Sequence, residues 1–312
     1  MKLNKIRNFL CTIGGSMKYL DAVEEKGETC GYPLSVYSHK YDVRLKAVAD
    51  LLTYLLRKYD LEIIHKNHFF GYCYYVNANY NLRFLLKYKF PSDCYPILCF
   101  LKKIQMNCEV AFDLGANKGL VSCFLSQRSK TVHSFEPGRD TSIAAKRNLM
   151  LNKIDNVTWN EMAVGSKNEK MKFYDYGMEN SGHNSLLQVH EEAQNVYEVE
   201  VVRIEDYCKE KNITYIDFMK LDVEGFEKAA LDGCGEMLSG KKIGMIVFEV
   251  SPEIIQDWEE QHAMLQRLIA VDYQIFNLYL EELTVEEIEK SLKHQDVVAI
   301  QKDCVEKYRR YF

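Results

Sequence analysis

The residues with the clearest chemical content lie in one stretch, Val110 to Gly119, where an apolar run ends in Asp113 and continues as Gly115-x-Asn117-x-Gly119. A buried strand ending in an acid, a glycine turn and a helix-compatible segment over Leu120 to Arg128 form the strand-loop-helix unit of a nucleotide-type cofactor site. Gly115 and Gly119 let backbone approach a ligand where a side chain would collide. The Gly-x-Gly-x-x-Gly phosphate signature is missing, and so is the Lys-Ser/Thr ending of a P-loop. Pyrophosphate is therefore disfavoured, and an acid aimed into the loop suits a ligand carrying positive charge.

Two further strands end in acids. Thr131 to Phe135 runs into Glu136, the position at which doubly wound folds accept hydrogen bonds from ribose hydroxyls. Ile216 to Asp222 places Lys220 and Asp222 on one strand face, and Gly225 permits a tight turn into a helix expected over Glu224 to Met237. Glu224 and Glu227 then fall in its first turn, where acids favour the helix dipole. Glu227 reads as a cap. Asp222 and Glu224 read as candidate catalytic groups, because the carboxyl edge of the strands is where ligands bind.

Glu161 and Glu249 are further acids expected at that edge. Asp222 with Glu249, beside Glu224, offers the oxygen ligands that a hard divalent cation such as Mg2+ takes. His183, in the Gly/Asn/Ser/His loop from Gly177 to Ser185, is another candidate base. His133 sits inside a strand and reads as a packing residue.

The elements that must position these groups follow from periodicity. Residues 1 to about 60 read as mostly helical, with an apolar stripe through Leu45, Val48, Ala49, Leu52, Leu55 and Leu56. Residues 63 to 80 carry strand-forming aromatics, including Phe69 to Tyr75, and 81–88 and 95–104 read as helical segments interrupted by Pro91 and Pro96. From Val110 strands and helices alternate. Strands are expected at 157–161, 169–176, 196–202, 215–222, 243–250, 273–278 and 297–301. Helices are expected at 140–151, 205–211, 253–269 and 285–293. That alternation implies a parallel sheet with helices on both faces.

The chain of 312 residues is long enough for one large domain with an extension, and its net charge of −5 argues against a broad nucleic-acid footprint. No apolar run approaches the ~20 residues of a membrane span. The first twenty residues lack the apolar core and small-residue cleavage site of a secretory leader, and the ten cysteines show neither Cys-x-x-Cys nor paired Cys/His spacing. Reduced thiols in a cytoplasmic protein are the expectation.

The motifs DLGANKG (113–119), FEP (135–137) and KLDVEGFE (220–227), with the Ala163-Val164-Gly165 turn and Asn184-Ser185-Leu186, resemble the FkbM-type S-adenosylmethionine-dependent methyltransferases. The resemblance covers roughly residues 108 to 302. It implies a Rossmann-like, doubly wound, mostly parallel seven-stranded sheet. A methyltransferase domain over 106–304 would follow a mainly helical extension over 1–105, which would serve as a cap, a lid or a homo-oligomer contact. It also implies S-adenosylmethionine as cofactor, with Asp113, Gly115, Asn117 and Gly119 at its methionine and ribose end. Glu136 would hold the ribose hydroxyls, and Ala163 would be a further contact. The implied acceptor is a hydroxyl of a small molecule or glycan, sugars foremost. An RNA ribose or cap methyltransferase is the alternative that Lys220, Asp222 and Glu249 suggest, although no second lysine follows Asp222. A non-catalytic Rossmann-like scaffold is the other.

Overall fold

The computed structural model describes residues 43–80, 82, 85, 94–188, 192–250, 258–291 and 295–309, all within the unit Ser35–Phe312. The expectations for residues 1–42 and most of 81–88 lie outside the described residues. Helix α1, Val43–Lys58, turns Ala49 and Leu56 inward. The hairpin strands β1, Ile63–Asn67, and β2, Tyr72–Val76, come next, then α2, Tyr95–Lys103, which has Pro96 in its first turn. Proline is tolerated there because that N–H has no partner inside a helix.

The central sheet begins with β3, Cys108–Leu114, followed by α3, Leu120–Leu125, β4, Ser129–Phe135, α4, Arg139–Leu151, and β5, Val157–Asn160. A three-stranded insertion is built from β6, Ala163–Val164, β7, Glu169–Asp175, and β8, Asn195–Val202, in the order β6-β8-β7. The central sheet resumes with α5, Ile204–Lys211, β9, Ile216–Leu221, α6, Glu227–Gly233, α7, Gly235–Ser239, and β10, Ile243–Val250. The elements α8, Trp258–Ala270, β11, Tyr273–Phe276, α9, Val285–Ser291, β12, Gln295–Gln301, and α10, Val305–Arg309, complete it.

The seven strands lie in the order β11-β12-β10-β9-β3-β4-β5. The pairs from β10 to β5 are parallel, and β12 runs antiparallel to both of its neighbours. The chain winds outward from β3 through β4 to β5 on one side and from β9 to β10 on the other. The order therefore reverses between β3 and β9, where open α/β sheets take their ligands.

Strand alternation sorts the two faces. Ala111 joins a core with Phe124, Tyr72, Tyr74 and Leu98, whereas Phe112 and Leu114 join Ile204, Leu231, Leu238 and Leu268 on the other face. Residues from the described part of the first hundred thus share a core with the sheet. Truncating a fully buried ring such as Phe124 to alanine costs about 3–5 kcal/mol. The expected single helix over 224–237 is instead two, α6 and α7, broken at Cys234 and Gly235. Gly235 has φ +47°, and a Cβ there would lie 1.9 Å from Glu205 Oε2, so α5 sets the break.

Candidate active site

The end of β3 is tied to both neighbouring strands. Gly115 and Ala116 N–H donate to the Phe135 carbonyl, and Asp222 N–H donates to the Leu114 carbonyl at 3.1 Å. Gly115 has φ +76°, and a Cβ on it would stand 1.7 Å from the Asp222 carbonyl oxygen. The first glycine is therefore required by the approach of two protein segments. Gly119, at φ +72°, packs against Ala145 of α4, where a Cβ would lie 3.0 Å from Ala145 Cβ. It does not reach the cavity.

Asp113 shares the strand face of Ala111, beneath α3. Its carboxylate accepts from Ser122 Oγ at 2.5 Å and lies 3.7 Å from Lys220 Nζ, with no exposed surface. Burial raises its pKa, opposed by Lys220 and by the Ser122 hydrogen bond. The expectation that Asp113 lines the ligand site is thus corrected: it sits behind the wall, part of a buried polar chain that continues from Ser122 to Ser134 at 2.8 Å. Lys220 Nζ joins that chain to the cavity, donating to the Gly115 carbonyl at 3.0 Å and pairing with Asp222 at 2.9 Å. Burial works against the ammonium charge, but Asp222 and Asp113 outweigh it and hold its pKa above the ordinary lysine value.

Glu136 is 6% exposed and borders the cavity. Its Oε1 accepts from Gly138 N–H at 2.7 Å and Thr141 Oγ1 at 2.9 Å, and its Oε2 from Asn117 N–H at 2.8 Å. Burial raises its pKa while these donors favour the ionised form. Oε2, with one donor, retains lone-pair capacity toward a ligand. Asn117 adopts φ 48°, donates through Nδ2 to the Ser181 carbonyl at 3.2 Å, and has a buried Oδ1 that no donor reaches.

Beyond β9 the chain turns sharply. Glu224 has φ 53° and Gly225 φ 94°, so Glu224 lies in this turn, ahead of α6, and not in a first helical turn as expected. Glu227 caps the turn, with Oε1 accepting from Val223 N–H at 3.0 Å and Gly225 N–H at 3.3 Å. Burial raises its pKa to about 7. Asp222, Glu224 and Glu249 each bring a carboxylate oxygen within 4.8 Å of the others. Burial, then repulsion from Asp222 and Glu224, pushes Glu249 far above the carboxylate range.

A cavity opens at this strand edge. Gly115, Asn117, Glu136, Ala163, Asp222 and Glu224 line it, so the structure brings these expected residues together. Glu249 adjoins through the carboxylate cluster. His183 is exposed on the short helical turn Met178–His183 and is not in the lining. Glu161 is directed to an ion pair with Lys146 at the surface. His133 is a packing residue whose Nδ1 meets Tyr207 Oη at 2.8 Å. Sequence reasoning missed the apolar lining from Phe135, Met162, Val164, Phe173, Leu186 and Phe226. Alternation along β7 marked Phe173 as inward, but not toward which cavity.

The charge of the lining is one-sided. Glu136, Asp222 and Glu224 contribute carboxylates, and no Lys, Arg or His is among the described lining residues. An ammonium- and sulfonium-bearing nucleoside without phosphate fits this donor set: Asn117 Oδ1 awaits a donor, and apolar walls flank the acids.

Residues 113–275, just over half of the chain, match the model of the methyltransferase FkbM domain. No curated protein matches. Among solved structures, a methyltransferase FkbM from Methylobacillus flagellatus KT is 17% identical, with 70% of this chain matched to 52% of that one and a TM-score of 0.40. This chain thus spans about half the length of that relative. An rRNA methylase from Streptococcus thermophilus is 11% identical over 67% of this chain and 96% of its own, with a TM-score of 0.38. TYW2 from M. jannaschii, in complex with AdoMet, is 14% identical over 76% of this chain and 84% of its own, with a TM-score of 0.37.

Proposed function

The chain belongs to the FkbM methyltransferase family, and we propose that it transfers a methyl group from S-adenosylmethionine to a hydroxyl of a small molecule or glycan, with sugars foremost. The observation that carries this reading is the cavity at the strand-order reversal, lined among the described residues by three carboxylates and no basic side chain. Glu136 and Asn117 would hold the cofactor's ribose and amino donors, with Gly115 and Ala163 as close-approach walls. When bound, the cofactor supplies an electrophilic methyl carbon.

The remaining work belongs to the chain's own residues. Methyl transfer is an in-line displacement, so most of the catalysis is placement of the acceptor oxygen. An aliphatic hydroxyl must lose its proton to a base, a role assigned to Glu224 and Asp222 at the cavity wall. Lys220 fixes Asp222 from behind through the 2.9 Å ion pair. This reading takes a cytoplasmic setting.

A divalent cation is a second reading of the same acids. It is favoured by the convergence of Asp222, Glu224 and Glu249 oxygens and by the mutual repulsion that a cation would relieve. Titration of the protein with Mn2+, followed by paramagnetic resonance, tests it. Binding lost in Glu249→Gln supports the reading, and no binding at millimolar metal removes it.

Transfer to a hydroxyl is tested by incubating the protein with methyl-labelled S-adenosylmethionine and separate pools of sugars, glycans and RNA. Label on sugars or glycans, abolished in Glu224→Gln, is the expected result. Label confined to RNA would contradict the acceptor class.

A further inference from the structure

Between β7 and β8 the chain makes an excursion closed at its base by one antiparallel bridge. Tyr174 N–H donates to the Ser185 carbonyl at 2.9 Å, and Ser185 N–H returns to the Tyr174 carbonyl at 3.2 Å. Inside that base, Gly177 sits at φ +82° and opens the turn Met178–His183. The far limb is anchored as well, because Ser185 Oγ donates to the Glu224 carbonyl at 2.7 Å. The tip is held from the opposite side of the cavity by the glycine loop. Lys118 Nζ donates to the Met178 carbonyl at 3.0 Å and to the Asn79 carbonyl at 3.3 Å, and Asn117 Nδ2 donates to the Ser181 carbonyl. Arg57 of α1 adds an ion pair to Glu179.

The segment therefore spans the cavity from the Glu224 turn to the glycine loop and supplies Ser181, Asn184, Ser185 and Leu186 to its lining. Its base is fixed by main-chain bonds, while its tip is held by side chains that can let go singly. These fastenings differ in strength. The Arg57 and Glu179 side chains are 59% and 53% exposed, and such pairs contribute ~0–1 kcal/mol. The Lys118 ammonium is half-buried over the Tyr80 ring, 4.7 Å from its centroid, and its bonds to carbonyls are charge-assisted.

We infer that Met178–His183 is a flap over the cofactor cavity and that Lys118 is the positioning residue that latches it, thereby setting how fast the cofactor enters and leaves. This rests on the proposed cofactor reading. Lys118 does not line the cavity, so its removal acts on access and leaves the contacts to the ligand in place.

The test is stopped-flow measurement of S-adenosylhomocysteine association and dissociation with the full chain and with Lys118→Met. The expected result is a dissociation rate raised about tenfold, association unchanged or faster, and an equilibrium constant weakened by no more than the dissociation rate alone would give. Glu179→Gln, which removes only the exposed pair, is expected to change either rate by less than twofold. Hydrogen exchange on the unaltered chain provides an independent reading, with amides 178–183 gaining protection when S-adenosylhomocysteine is added. Binding with unaltered rates in Lys118→Met, a loss confined to association, or no added protection would each overturn the flap alone. Absence of any binding to the unaltered chain would overturn the cofactor reading and the flap together.

Discussion

The Gly115 Cα lies so close to the Asp222 carbonyl that an added Cβ would stand 1.7 Å from its oxygen. The loop assigned to the cofactor and the turn that presents Asp222 and Glu224 are thereby locked to one another. Gly115→Ala must push these segments apart and also strain a backbone at φ +76°. The strain alone costs of order 1–3 kcal/mol. Urea denaturation should show at least that loss, and S-adenosylhomocysteine binding should fall with it. An unchanged midpoint would mean the approach relaxes freely.

Lys220 is the sole cation within salt-bridge distance of both Asp113 and Asp222 among the described residues. Lys220→Met leaves two carboxylates without it, one of them fully buried, so destabilisation of about 3–5 kcal/mol is expected. The double variant Lys220→Met, Asp113→Asn removes one of those charges and should recover part of the loss. Equilibrium unfolding of the two variants side by side checks both statements.

Glu227 provides a pH dependence of defined sign. The native chain retains its proton up to about pH 7, whereas the unfolded chain releases it near 4.5. Between those values the folded state binds more protons, so stability falls as pH rises. At ~1.4 kcal/mol for each pH unit between the two, the full difference is roughly 3 kcal/mol. Unfolding free energies of the parent, measured from pH 4 to 8 and compared with Glu227→Gln, should fall more steeply in the parent by about this amount. Parallel curves would contradict it.

Much of the sheet was legible because β3, β4, β9 and β10 are apolar runs that end in or run into acids at the ligand edge. Glu136, Asn117, Asp222 and Glu224 reached the cavity for that reason. Asp113 did not, and the cause is alternation combined with distant partners: Ser122 comes from α3 and Lys220 from β9, contacts that local pattern does not reveal. The break between α6 and α7 was hidden similarly, since Glu205 of α5 dictates it. An acid beside the Gly225 turn suits a first helical turn, but the positive φ of Glu224 keeps it in the turn. The 177–185 loop was recognised by composition, whereas its fastening to Lys118 depends on the fold.

The central claim is that an acid-lined cavity holds S-adenosylmethionine through Glu136. Isothermal titration with S-adenosylhomocysteine of the parent and of Glu136→Gln tests it most directly, because glutamine keeps one carbonyl oxygen for Gly138 N–H and Thr141 Oγ1 while removing the charge and the acceptor of Asn117 N–H. The account predicts one site per chain with micromolar-range affinity, weakened at least tenfold in Glu136→Gln at a temperature where circular dichroism shows the variant folded. No measurable heat for the parent, or equal affinity in the variant, would contradict it.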